Sequence, residues 1–178
     1  NTPPPTATPV PTPYPFNMDT QDCTTEYFAY PEWRVIYDGY ENLSQEDIDT
    51  KKIVQIHQRD YQYPHDSYSI RRYQYFPMRS EVRCLKYLDG NWASAGFDRI
   101  KALYSDYGLS LVAGTGETVG DYSITMSLVD NDDPGNVRSS IVIIARKHNV
   151  VTTTLMWGAN IHVSGVHNIA VTNMAHVH

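Results

Sequence analysis

From residue 109 onward the chain alternates short apolar runs with turn residues. Four β-rich runs, LSLVAG (109–114), DYSITMSLVD (121–130), VRSSIVIIARK (137–147) and VVTTTLMWG (150–158), are separated by TGETVG (115–120), NDDPGN (131–136) and KHN (147–149). This spacing predicts a four-strand antiparallel meander. SIVIIA (140–145) is apolar on both parities and reads as a strand covered on both faces.

Upstream the period changes. In WASAGFDRIKALYSDYG (92–108), Phe97, Ile100, Leu103 or Tyr104, and Tyr107 recur at three-to-four spacing, with Gly108 just past the end; this is a helix. The last segment, SGVHNIAVTNMAHVH (164–178), puts Val166, Ala170, Met174 and Val177 on one stripe. A terminal helix is expected; a strand competes, because Ile169, Val171, Ala175 and Val177 share a parity. EWRVIYDGY (32–40) alternates and reaches Asp38-Gly39, a strand and turn. SQEDID (44–49) has Ser44 three residues before Asp47, a capping box that starts a helix. In KKIVQIHQRD (51–60), Ile53, Val54 and Ile56 suit a helix face and a strand equally. SYSIRRYQYFP (67–77) reads as a strand stopped by Pro77. The expected class is α+β: a C-terminal four-strand antiparallel sheet covered by two or more helices. No internal repeat is present.

Residues 1–15, NTPPPTATPVPTPYP, hold seven of the eleven prolines and no charge. Clustered prolines favour polyproline II, so residues 1–22 form an extended arm ahead of one globular domain at 23–178. At about 3 Å per residue, fifteen residues reach roughly 45 Å, enough to touch a second molecule. Pro3, Pro4, Pro5, Pro9, Pro11, Pro13 and Pro15, with Tyr14 and Phe16 as anchors, are the expected docking residues on a neighbouring copy. Such a head-to-tail contact generates filaments unless it closes into a ring. Thr2, Thr6, Thr8 and Thr12 suit O-linked sugars, as in secreted stalks. Asn42-Leu43-Ser44 is an N-glycosylation sequon.

Composition narrows the partners. The net charge of −6 argues against a nucleic-acid binder, which needs a basic face. The longest purely apolar run, Ile141 to Ala145, is far below the roughly 18–20 residues of a spanning helix. The two cysteines, Cys23 and Cys84, are expected to form a disulfide across a loop of about 60 residues, stabilising by about 4 kcal/mol. A bridge implies an oxidising, extracellular or cell-surface setting. The opening at Asn1, without methionine or signal sequence, is expected where a targeting segment has been removed or the ends were trimmed.

A Pro/Thr-rich tract ahead of a small α/β domain resembles secreted bacterial lipoproteins with Pro/Thr tethers. The run 132–158 with its terminal helix, and YPEWRVIYDG (30–39), are similar to the ending and first strand of PsbP-like domains. The resemblance implies a non-catalytic accessory, partner-binding or sensor module. A mature lipoprotein begins with a lipidated cysteine, whereas this chain begins with Asn1.

Candidate chemistry is sparse. GTGETVG (114–120) is not GxGxxG, since Val119 takes the third glycine's place, and it leads into a strand; it is a loop. Asp130, Asp132 and Asp133, with Asn131 and Asn136, crowd oxygen ligands into one turn and are the candidate calcium site; the EF-hand pattern is absent and a plain hairpin turn is the competing reading. His57, His65, His148, His162, His167, His176 and His178 follow no HExxH or Cys/His zinc spacing. No GxSxG elbow occurs. Fourteen tyrosines are unusual, and Tyr61, Tyr63, Tyr73 and Tyr75 form the candidate aromatic surface for a protein or sugar, ordinary strand packing being the alternative. The expectation is therefore a secreted, non-enzymatic structural protein that assembles with copies of itself through its arm, without a required cofactor. The second expectation is an envelope-tethered, PsbP-like binding module with the tail as spacer.

Overall fold

The computed structural model describes residues 34–63, 78–113, 116–130, 138–159, 161–175 and 177. The arm, SYSIRRYQYFP and NDDPGN lie outside them. Two antiparallel meanders merge into one seven-stranded sheet. The first comprises β1 (Arg34–Tyr40), β2 (Ile53–Tyr63) and β3 (Met78–Tyr87). The second comprises β4 (Ser110–Leu111), β5 (Tyr122–Asp130), β6 (Arg138–Lys147) and β7 (Val150–Ala159). The spatial order is β1-β2-β3-β7-β6-β5-β4. The expected four-strand sheet is thus corrected: β7 is no edge but pairs with β3 over Arg79↔Trp157 to Lys86↔Val150. The reason is exposed hydrogen-bonding capacity. A β7 that carried β6 on one side alone would leave a long apolar edge unpaired, and β3 supplies the missing ladder.

Among the described residues three helices accompany the sheet: α1 (Gln45–Asp49), α2 (Gly90–Asp106) and α3 (Val163–Ala175). Only α2 and α3 cover its faces. Alternate residues of β6 divide between two cores: Ile141, Ile143 and Ala145 pack under α3, and Val142 and Ile144 under α2. The two helices therefore lie on opposite faces. The residues of 51–60 that fit either element form β2, because Ile56 and His57 face opposite sides opposite Leu85 and Cys84. The terminal segment is helical, with Val166, Ile169, Ala170 and Met174 buried. The expected turn at Asp38-Gly39 is also corrected. Both residues sit within β1, paired with Arg59 and Gln58, and the chain turns only after Tyr40.

Local chemistry sets the helix ends. Ser44 and Asp47 form a reciprocal capping box on α1. Asp89 caps α2 by accepting from the Asn91 and Trp92 amides at 2.8 and 3.0 Å. At its other end Gly108 takes φ +88°. The Gly108 amide then donates to Ser105 and the Leu109 amide to Tyr104, a Schellman closure that folds Leu109 back towards Tyr104.

The position of α2 over the sheet is set by a close approach at Gly96. A Cβ there would lie 2.2 Å from the buried Tyr87 ring. Tyr87 cannot retreat, since its amide donates to Asn149 and its carbonyl accepts from the Asn149 side chain, both at 2.9 Å. Substituting Gly96→Ala is expected to destabilise by about 1–3 kcal/mol through overpacking, despite a helix-propensity gain of about 1 kcal/mol. Urea unfolding of G96A, Y87L and the double variant checks this: the double variant should cost less than the sum of the singles. Additive costs would show that the two residues do not confront each other.

Candidate functional site

A helix of 17 residues extends about 25 Å, whereas the ten residues of β7 extend about 33 Å. Running back from the end of β3, α2 therefore leaves the far end of its face uncovered. A cleft of about 410 Å³ opens there. Its floor is the sheet: Glu81 and Arg83 of β3, Leu155 and Trp157 of β7, and Leu128 of β5. Its overhanging wall is the last turn of α2, with Leu103, Tyr104 and Tyr107, continued by Leu109. The Schellman closure at Gly108 brings Tyr104 and Leu109 into the same wall. The Tyr104 and Tyr107 rings meet edge-on, with centroids 6.4 Å apart.

The charges of the floor follow from register. Gln58, Asp60 and Gln62 on β2 share a face with Arg83, Glu81 and Arg79 on β3. Arg83 is held by Glu41: its Nη2 lies 2.7 and 2.8 Å from the two carboxylate oxygens and its Nε 3.0 Å from one of them. Asp60 lies directly opposite Glu81. Two carboxylates in that relation repel. Burial pushes the Glu81 carboxyl above its usual range; Arg83 pulls it down, and Asp60 and Glu41 push it further up. Burial likewise raises Asp60, against a hydrogen bond from Gln58 at 2.9 Å. Burial and the Glu81 charge together push the Tyr104 phenol up to about 12. Glu81 itself makes no hydrogen bond or ion pair among the described residues.

The residues picked out in sequence fall elsewhere. Tyr61 is 3% exposed and packs in the core with Val82 and Met156, so it belongs to no contact surface. This corrects its place in the aromatic set: on β2 its parity points to the α3 side, where the core needs its ring. Tyr73, Tyr75 and the side chain of Tyr63 lie outside the described residues, as do Asp132, Asp133 and the Asp130 side chain of the calcium candidate. Asn42 is exposed, between β1 and α1. Cys84 is buried beneath α3 and carries no free thiol; Cys23 lies outside the described residues. Among the described histidines, His148 occupies the β6–β7 turn at φ +55° and His167 contacts the Glu117 carbonyl. His57 is buried with its Nε2 at 3.1 Å from Asp38. Three metal-ligating side chains converge nowhere among the described residues.

The cleft escaped sequence reading because β3 did. MRSEVRCLKY carries no apolar run, and its apolar positions split between both faces. The signal was present in the charges: Arg79, Glu81 and Arg83 alternate at i, i+2 and i+4, which puts them on one face of a strand. Arg34, Tyr63, Met78, Asp130 and Arg138 all stand at this same end of the sheet, since Arg34 pairs with Gln62, Tyr63 with Met78, and Asp130 with Arg138.

No family model and no curated protein matches the chain. Among solved structures, the extracellular domain of PknH from Mycobacterium tuberculosis has the same fold, at TM-score 0.54 and 10% identity, over 81% of this chain and 85% of that one. Neither the PsbP-like resemblance of 30–39 and 132–158 nor the lipoprotein resemblance of the Pro/Thr tract finds support in these comparisons.

On the other face of β1 and β2, Asp38 ties the edge strand to its neighbour. It accepts from Arg59 Nη2 at 2.8 Å and lies against His57. The Arg59 hydrogen bond holds the Asp38 carboxyl below the usual range, with the Arg59 and His57 charges adding to it against a cost of burial. The contribution of a depressed carboxyl is present above its unfolded value and lost as pH falls through the folded one. Amide exchange over 35–40 should therefore quicken as pH falls below 3.8, after correction for intrinsic rates. Asp38→Asn should show that faster exchange already at pH 7, and unchanged protection in D38N would remove the strap.

Proposed function

We propose that this chain is an extracellular, non-enzymatic binding module whose ligand occupies the cleft between the end of α2 and the sheet. The observation that carries this reading is the cleft's make-up. It is concave, of ligand-binding size, lined by Leu103, Leu109, Leu155 and three aromatic rings, and centred on one half-buried carboxylate, Glu81, that has no partner among the described residues. Such a site, apolar with few polar groups and a displaced pKa, is where small ligands are expected. The extracellular setting rests on the expected Cys23–Cys84 bridge, the Pro/Thr arm and the likeness in fold to an extracellular domain. A library of small organic fragments, screened by NMR on the ¹⁵N-labelled whole chain, tests the reading. Binders should shift the Trp157 indole resonance, and Leu103→Asp, at a position 46% exposed and so tolerant of change, should abolish those shifts. A Trp157 resonance that no fragment moves would overturn it.

One observation favours self-assembly as a second reading. The edge strand β1 leaves Val35, Ile36, Tyr37 and Tyr40 between 42% and 47% exposed. A register shift between Val35 and Tyr37 interrupts this edge, one of the devices by which natural proteins blunt it, while Tyr37 to Tyr40 pair regularly with β2. An extended segment of a second copy can pair with it, and the arm is expected to be extended. Negative-stain electron microscopy of the whole chain should show filaments or rings, and a chain beginning at Gln21 should remain monomeric. Monomers in both samples would exclude assembly by the arm.

A further inference from the structure

We infer that the ligand of this cleft is a small organic cation: an apolar or aromatic body carrying one ammonium or guanidinium group, with Glu81 as its counter-charge. The inference rests on the cleft being the binding site and names what the site selects.

Three observations converge on charge complementarity. First, Glu81 lines the cleft without a hydrogen bond or ion pair among the described residues. Second, it stands directly opposite Asp60 on the same face, a like-charge pair that costs the sheet stability. Asp60 does not itself line the cleft, so a cation held by Glu81 offsets that repulsion from the cleft side. Third, the nearest basic group is occupied. Arg83 gives its guanidinium to Glu41 through three contacts, so it is poorly placed to receive an anion. Arg79 is exposed at the start of β3 and acts on Asp60 rather than on Glu81. From α2, the group facing Glu81 is the neutral Tyr104 phenol.

The walls decide what kind of cation. A metal ion requires several convergent ligands, and no group of three exists among the described residues. Leu103, Leu109, Leu128 and Leu155 instead favour an apolar body. Trp157, Tyr104 and Tyr107 add ring faces, which attract cations by their quadrupole. The volume of about 410 Å³ suits a small molecule.

Affinity should depend on pH through Glu81. Its raised carboxyl is protonated, and therefore neutral, at a higher pH than an ordinary glutamate. A cation binds the ionised form, so its affinity falls as pH drops through that raised value. The neutral Asp60 that burial favours at low pH acts in the same direction.

Three probes with one indole body separate the outcomes: tryptamine (cationic), tryptophol (neutral) and indole-3-propionate (anionic), titrated into the whole chain by calorimetry and ¹⁵N NMR at pH 7. Tryptamine should bind tighter than tryptophol by about tenfold or more, the scale of a charge-assisted hydrogen bond, and indole-3-propionate should bind weakest. In Glu81→Gln the advantage of tryptamine should shrink to about twofold or less, with tryptophol unaffected. Asp60→Asn should lower it by a smaller factor. At pH 4 the tryptamine affinity should drop while that of tryptophol holds. Equal binding of all three probes, each abolished by Leu103→Asp, would overturn the cation and leave the cleft standing. Absence of any shift at Trp157 would overturn both.

Discussion

Tyr87 under Gly96 is the contact on which the rest of the molecule depends. The ring occupies the space where any Cβ at Gly96 would lie, and the backbone of Tyr87 is fixed from the other side by Asn149 in the β6–β7 turn. One residue thus joins three things: the end of β3, the tip of the hairpin beside it, and the axis of α2. With this point fixed, the length of α2 determines where it ends. Gly108 then ends it in a closure that turns Leu109 back on Tyr104. The cleft is what remains of the sheet face beyond that end.

The two faces of the sheet serve different ends. Beneath α3, Tyr61, Val82, Ile143, Met156 and Val166 form an apolar core, with the side chains of His57, Ser80, Thr152 and Thr154 buried on the same strands. Beneath α2 the core is apolar only as far as the helix reaches. Past it, alternate positions of β2 and β3 carry Asp60, Glu81 and Arg83. Asp60 and Glu81 sit on interior strands, where burial disfavours the ionised carboxylate. Arg83 is satisfied by Glu41, and Glu81 has no such partner among the described residues. An interior strand with a carboxylate unmatched among the described residues, beside aromatic rings, is locally inconsistent with its own fold, and such inconsistencies concentrate at functional sites.

The sequence by itself determined the local elements whose signals lie within a few residues. Ser44 and Asp47 specify the start of α1, Asp89 and Gly108 bracket α2, and the alternation after residue 121 yields β5, β6 and β7. Where the local signal is ambiguous, long-range pairing overrides it. Asp38-Gly39 has turn chemistry, yet the ladder to Arg59 and Gln58 keeps both residues in β1. Tyr61 has the composition of a contact residue, yet its parity on β2 sends it to the core. Only the tertiary structure decided that β3 and β7, far apart in the chain, lie side by side. That one pairing joins the two meanders, makes a seven-stranded sheet of what read as four, and brings Glu81 and Arg83 next to Leu155 and Trp157. Strand pairing at long range is settled by which edges remain unpaired and which apolar faces can be covered together, and neither quantity is a property of any short stretch of residues.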